Sequence, residues 1–404
     1  MSQHTPFPLM NHRPRIASPI LAFLLCVGSS AAAQSGKDLI VDFCLGCHDS
    51  EREKGDFNLE VPLYDHPIAK NPSLWGEVIK RLSSGEMPPE EAAQLTDKER
   101  SVLIAWLKQE TAPPAAKSKP DFSDIPIIDT HIHLYDTRRP GGVPWPPESD
   151  KVLYRPILTG QFNAVADKNG VGMTVIVEAS DLVEDNQWVL DLVKDQPRRY
   201  LGVVGNLPIG TPGFARQLKR FSKDDRYVGI RMRQRPGGEN FFTDDVWRDL
   251  RLMAKSGMTL DVLLANFSLA DIDLIAGKIP DLKILINHVT GLNIKRGPAD
   301  PKWVTAVQRA ARHPNVYCKV SGLFQRSGQS PAPKDLAFYR PTLDVICEAF
   351  GEDRLIYGSN WPVTLRGGTY AEYKAIIMEY FAPKGRSALE KLLHMNARAF
   401  YGLK

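Results

Sequence analysis

Cysteine is scarce in this chain, with five in 404 residues. That excludes a small scaffold stapled by disulfides. Long apolar runs are also lacking. The run from Ile16 to Val27 is too short to span a bilayer as a permanent helix. Neither sign of charge is in excess. Against 47 Asp and Glu stand 51 Lys and Arg, a formal net charge of +4. Such a balance gives no reason to expect nucleic acid or an acidic membrane surface as a partner. No internal repeat is evident.

What is present reads as soluble and globular. Hydrophobic residues make up 43% and charged residues 24%, and the length suits two or three domains. The N-terminus departs from this texture. Arg13 and Arg15 precede the Ile16–Val27 run, and Ala31-Ala32-Ala33 follows it. A positive segment, an apolar segment and a small-residue cleavage site predict a cleavable signal over residues 1–33 and a periplasmic or otherwise exported protein. An uncleaved anchor is the alternative. Cys26 follows Leu25 rather than a small residue, which argues against lipidation. Residues 1–33 hold two Arg and no acid, so their removal lowers the charge from +4 to +2.

Two of the remaining four cysteines carry a motif. Cys44 and Cys47 flank two residues, and His48 follows at once. That is the attachment spacing of a c-type haem: two thiols for the vinyl groups and an imidazole for the iron. A zinc knuckle would want a second pair nearby, and the next hundred residues contain no cysteine. Around the motif, residues 34–110 predict a small helical domain. Lys37 to Cys47 forms one helix, and Trp75, Val78, Ile79 and Leu82 have helical spacing on a second. Thr96 with Glu99 opens a third, whose apolar face holds Val102, Leu103, Trp106 and Leu107. Met87, in Met87-Pro88-Pro89, is the candidate sixth ligand to the iron, because a thioether is soft and neutral. His66 competes for that position.

Cys44-Leu45-Gly46-Cys47-His48, Lys54-Gly55-Asp56-Phe57-Asn58-Leu59, Met87-Pro88-Pro89 and Leu103-Ile104-Ala105-Trp106 together resemble the planctomycete-type cytochrome c domain. The resemblance implies covalent haem c held by Cys44, Cys47 and His48, with Met87 as distal ligand. Residues 111–122, rich in proline and small residues, read as a linker.

From residue 123 to 404 short apolar strands alternate with helical patterns. Strands are expected at Ile127–Leu134, Gly172–Ala179, Tyr200–Leu207, Tyr227–Met232, Thr259–Leu264, Lys283–His288, Val316–Val320 and Arg354–Gly358. Helical patterns such as Gln187–Lys194, Val246–Lys255, Trp303–Arg312 and Arg340–Phe350 lie between them. The expected fold is therefore multidomain: an all-α cytochrome c domain, then an α/β (β/α)8 TIM barrel. A doubly wound sheet would want a glycine-rich turn after its first strand, and His131-Ile132-His133 stands there instead. Cys318 and Cys347 read as buried thiols, one on a strand and one on a helix.

Side chains alternate along a strand, so Asp129, His131 and His133 share a face. Glu178 and Ser180, Asn206, Arg231 and Arg233, His288, Ser321 and Asn360 fall at or just past the same ends of other strands. One such group is a cap or a salt bridge; all together predict a polar pocket. The arginines suit a carboxylate or polar oxygens.

The motifs Ile128-Asp129-Thr130-His131-Ile132-His133, Gly229-Ile230-Arg231, Ile286-Asn287-His288, Lys319-Val320-Ser321-Gly322-Leu323, Gly358-Ser359-Asn360-Trp361-Pro362 and Asn396-Ala397-Arg398 resemble the amidohydrolase-related family, in the branch of L-fuconolactonases and sulfomuconolactone hydrolases. The resemblance implies a hydrolase of small esters or lactones with His131, His133 and His288 as functional histidines, Arg231 as a substrate-binding arginine and position 360 in the site. Many members carry aspartate where this chain has Asn360, so a base must come from elsewhere, such as His288 or Glu178. Zinc or another divalent metal on His131 and His133 is a further expectation.

The leading expectation is an exported haem c protein whose barrel opens a lactone of a sugar acid, with a dehydrogenase as possible redox partner. An electron-transfer cytochrome with a catalytically degenerate barrel used for binding is the alternative. A carboxylate-releasing lyase is a third.

Overall fold

The computed structural model describes residues 35–65, 68–112 and 121–404. The expected signal over 1–33, His66 and most of the expected linker lie outside the described residues. The chain divides after Lys119 into two compact units.

The first unit is helical. Its α-helices run Gly36–Phe43, Leu45–His48, Glu60–Tyr64, Pro72–Ser84 and Asp97–Thr111. The single helix expected from Lys37 to Cys47 is broken at Cys44, whose φ of −115° leaves the helical range. Thr96 and Glu99 close the expected capping box, each accepting the other's backbone N–H. Leu103 and Leu107 of that helix are buried at i, i+4, whereas Val102, expected on the same face, is 40% exposed. It lies one position off the stripe, about 100° around the helix. Leu39, Ile40, Trp75, Val78, Leu82, Leu103 and Leu107 form this unit's own core.

The second unit is a parallel barrel. Its strands are β1 (Ile128–Ile132), β2 (Met173–Val177), β3 (Tyr200–Gly205), β4 (Tyr227–Met232), β5 (Thr259–Val262), β6 (Ile284–Ile286), β7 (Val316–Val320) and β8 (Leu355–Tyr357). Each pairs in parallel with the next, in chain order. Beyond β8, Trp361 bridges back to Ile132, and the His133 N–H donates to the Trp361 carbonyl at 2.9 Å. Helices including Thr159–Lys168, Asp185–Leu192, Asp244–Lys255, Pro301–Ala311 and Leu336–Phe350 occupy the connections. β4 and β7 have the expected bounds, and the other six expected strands ran two or three residues long, because the apolar alternation continues past the last ladder bond into the loops.

Inside the barrel, Ile128, Val175, Val204, Leu285 and Ile356 pack against Phe400 and Tyr401 of the C-terminal helix Asn396–Tyr401. A charged cluster sits above this plug. Lys319 Nζ donates to Asp261 Oδ2 at 2.8 Å and to the Thr130 carbonyl at 2.9 Å, and Tyr401 Oη donates to Asp261 Oδ1 at 2.9 Å. Both charges are fully buried, so each depends on the other and on these bonds. Cys318 lies on β7 and Cys347 on the helix Leu336–Phe350. Both are free thiols, and Cys347 is only partly buried.

Candidate functional sites

In the helical unit Cys44, Cys47 and His48 line one cavity with Met87, Pro88 and Pro89. Its volume is about 870 Å³ counting the open mouth, and Phe43, Phe57, Leu59, Val78 and Leu82 supply apolar walls. Burial pushes the Cys44 thiol up to about 11, as for a sulfur set against an apolar group. His48 Nδ1 lies 3.0 Å from the Phe57 carbonyl. A carbonyl only accepts, so Nδ1 carries the proton and Nε2 keeps its lone pair. Trp75 is fully buried with its indole N–H unpartnered. Two thiols, an imidazole with a free Nε2, a thioether across the cavity and an unused donor fit a c-type haem. When bound, that group supplies one-electron transfer.

The Met87 loop is fastened from behind. Arg100 Nη1 donates to the carbonyls of Leu82 and Met87, both at 2.8 Å, and Gln94 Nε2 donates to the Pro89 carbonyl at 2.6 Å. Removing a charged donor of this kind typically costs about 1.5–3 kcal/mol. Met87→Ala should therefore abolish the sulfur-to-iron charge-transfer band of the oxidised protein and lower its potential. Arg100→Gln should weaken the band without removing haem. An unchanged spectrum in Met87→Ala would give the sixth position to another group.

In the barrel unit a second cavity opens at the C-terminal ends of the strands, about 690 Å³ counting its mouth. His133, Glu178, Arg231, Arg233, His288 and Asn360 line it, with Trp145, Gln325, Arg326 and Arg366 from the segments that follow β1, β7 and β8. Glu178 is the hub. Its Oε1 accepts from Arg231 Nη1 at 3.4 Å and lies 3.1 Å from Arg233 Nε. Its Oε2 is buried with no partner. Burial raises the Glu178 carboxyl to about 7, and the two guanidinium groups hold it from rising further.

Arg231 Nε donates to Asn287 Oδ1 at 3.0 Å, and its Nη2 lies 3.4 Å from His288 Nε2. His288 is aimed by strained backbone: His288, Val289 and Thr290 follow β6 with φ of 54°, 45° and 62°. Such values are costly for the β-branched Val289 and Thr290 and mark a site held by its surroundings. His288 Nδ1 meets Ser321 Oγ at 2.9 Å. Gly322 (φ +70°) lets it in, since a Cβ there would come within 2.8 Å of that nitrogen. Burial, and then the Arg231 charge, hold His288 well below the ordinary histidine range, so it is neutral.

His133 Nδ1 lies 3.0 Å from the carbonyls of both Val177 and Glu178 and so carries the proton. Burial lowers this ring to about 3, leaving a lone pair on Nε2. Asn360 Oδ1 lies 3.2 Å from that Nε2. With Nδ1 protonated, the carboxamide must be turned about to present its N–H₂ end to the lone pair, since amide O and N are assigned from the hydrogen bonds.

The family described as Amidohydrolase matches residues 128–403. The chain belongs to the amidohydrolase family. Residues 31–107 match a second family, described as cytochrome c oxidase, cbb3-type, subunit III, so a cytochrome c domain precedes the amidohydrolase barrel; the match carries this description rather than the planctomycete type. A curated relative, L-fucono-1,5-lactonase of Burkholderia ambifaria, is 30% identical over 250 residues, 61% of this chain and 84% of that protein. Another L-fucono-1,5-lactonase, from Burkholderia multivorans, is 25% identical over 273 residues, 65% of this chain and 91% of that protein. A crystal structure of an amidohydrolase from Burkholderia multivorans with bound HEPES covers 69% of this chain and all of its own, with TM-score 0.63 and 23% identity. That last likeness concerns the fold.

In this amidohydrolase barrel the expected residues part company. His133, Arg231, His288 and Asn360 meet at the cavity, but His131 does not line it. His131 is fully buried, its ring centroid 5.0 Å from that of His133 and 4.5 Å from that of His288, with both ring nitrogens unpartnered. Asp129 faces away from the chemistry, accepting from the N–H groups of His131 and Ser359 and from Tyr370 Oη. Ser180 and Asn206 brace loops: Asn206 Nδ2 donates to the Ser180 carbonyl at 2.7 Å. Asp261, the buried acid most available to brace Arg231, reaches it only through Asn287, whose Nδ2 donates to Asp261 Oδ2 at 2.9 Å.

Among the described residues no three His, Cys, Asp or Glu side chains are grouped to hold the divalent ion expected on His131 and His133, while both ring nitrogens of the buried His131 lack a partner. His288 Nε2 faces a guanidinium, and an amide stands where many relatives have a carboxylate. Trp145, Gln325, Arg326 and Arg366 were not anticipated. Trp145 lies in a loop, Gln325 and Arg326 on the four-residue helix Leu323–Arg326 and Arg366 at the end of the short helical turn Val363–Arg366, segments too short to show periodicity.

Proposed function

We propose that the barrel hydrolyses a lactone or similar small ester, using Glu178 as general base and Arg231 as the carbonyl's electrostatic partner. The observation that carries this is a buried carboxylate held near neutrality, with one oxygen free, beside a guanidinium at the barrel mouth. A base is most effective when its pKa lies near the working pH. Glu178 takes a proton from water and the hydroxide adds to the carbonyl carbon. Arg231 stabilises the oxyanion. The ring C–O bond then breaks, and the proton on Glu178 passes to the leaving alkoxide. His288, neutral and facing Arg231, is a weak base that orients the guanidinium. Asn360 and Asn287 complete the positioning. No step needs a metal ion. The lactonase names of the curated relatives support the substrate class.

Arg231→Lys should lower kcat/KM about 10–100-fold, the loss of a charged hydrogen bond. Its melting temperature should stay close to wild type. A purely bracing role would reverse that pattern.

The cytochrome domain extends the proposal. A dehydrogenase that oxidises a cyclic hemiacetal releases a lactone, two protons and two electrons. Placing an electron carrier and a lactone hydrolase on one exported chain joins the two products of that reaction. A second reading is favoured by Asn360: a barrel that lost its carboxylate and only binds. Assaying the holoprotein on a panel of aldonolactones with product analysis tests the proposal. Ring opening to the acid supports it, carbon dioxide release would make it a lyase, and no turnover above buffer would refute it.

A further inference from the structure

Positive charge exceeds negative charge in the barrel cavity. Arg231, Arg233, Arg326 and Arg366 line it, against the single carboxylate of Glu178. Arg366 is already engaged, its Nε donating to Asp150 Oδ2 at 2.9 Å. Glu178 serves both Arg231 and Arg233 through one oxygen. Asp181, near Glu178 at the exposed rim, accepts from Gln234 Nε2 at 2.9 Å.

Arg326 is left over. It ends the short helix Leu323–Arg326 that follows β7. One nitrogen, Nη1, donates to the Gly291 carbonyl at 3.0 Å. Its Nε is buried with no partner. Among the described residues no carboxylate lies within ion-pair distance of it. Beside it, Gln325 Oε1 is also buried and unpartnered. A half-buried guanidinium next to another, with a desolvated donor and no counter-ion, is unfavourable unless something anionic arrives. Its planar fork matches a carboxylate.

We infer that the substrate of this site carries a carboxylate of its own, separate from the ester it presents for hydrolysis, and that Arg326 seats it. The inference rests on the lactonase reading above and narrows its substrate class to acidic lactones. Arg326 touches no group assigned to the chemical step except through its charge, so it acts on recognition.

The test uses matched lactone pairs on the holoprotein: D-glucono-1,4-lactone against D-glucaro-1,4-lactone, and the corresponding galacto and manno pairs. Within each pair only the terminal hydroxymethyl and carboxylate differ. The inference predicts at least tenfold higher kcat/KM for carboxylated members. Arg326→Gln should raise KM for them about 10–100-fold, with kcat and the neutral members unchanged, and Arg326→Lys should restore part of the loss. Raised salt should weaken the preference in wild type. Equal or better opening of the neutral members, or an Arg326→Gln effect of the same size on both, would overturn the inference while leaving the lactonase reading intact. Opening of neither class would overturn both.

Discussion

Glu178→Gln is expected to lower kcat for lactone opening by about 10²- to 10⁴-fold, the usual contribution of a positioned general base. Glutamine keeps an oxygen for Arg231 and Arg233 but cannot take a proton. The wild-type rate should carry the signature of this group. Burial holds the carboxyl up to about 7, so kcat should rise with pH below 7 and level off above it. The variant should lose that limb. Stability should move the other way. The folded value lies above the ordinary 4.5, so the native state binds the extra proton between about pH 4.5 and 7. The stability this contributes is full below 4.5 and is lost as pH rises through 7. Melting curves at pH 5 and pH 8 should therefore converge in Glu178→Gln relative to wild type. A retained acid limb in the variant would move the base to another residue.

The second large effect belongs to the helical unit. Cys44→Ser with Cys47→Ser should leave no haem bound through denaturing electrophoresis. The remaining core is a handful of residues around Trp75 and Leu103, and a cavity of about 870 Å³ opens beside it. A domain this small has little buried surface to spare. Loss of helical circular dichroism from residues 35–112 is the expected companion of haem loss. Haem persisting on the denatured double variant would refute the attachment chemistry.

How much could be read without coordinates depended on whether the signal was local. Cys44, Cys47 and His48 are contiguous, and their chemistry is legible at once. The barrel was legible because apolar strands and helical patterns alternate through the whole second unit. Residues that act through the fold were not. Asn287 sits unremarkably beside His288, yet it links Arg231 to Asp261. Arg326 belongs to a four-residue helix that no periodicity announces. The period-two pattern put Asp129, His131 and His133 on one face, but only His133 lines the cavity, because His131, two residues earlier on β1, is fully buried. The weight given to His288 as a base changes for an electrostatic reason: its neighbour proved to be a guanidinium.

Asn360 distinguishes a working barrel from a degenerate one. Turned to present its N–H₂ end, its carboxamide can donate to the lone pair of a neutral His133, whose Nε2 lies 3.2 Å from Asn360 Oδ1. An ionised aspartate in that place would face the same lone pair with like polarity and would call for a proton or a cation between them. On the proposed reading the amide belongs to a working site built around Glu178, and the decisive measurement is lactone-opening turnover of wild type beside Asn360→Asp, assayed together at pH 8. The account predicts activity in the wild type and no gain in Asn360→Asp. Activity confined to Asn360→Asp, with wild type at the buffer rate, would contradict it.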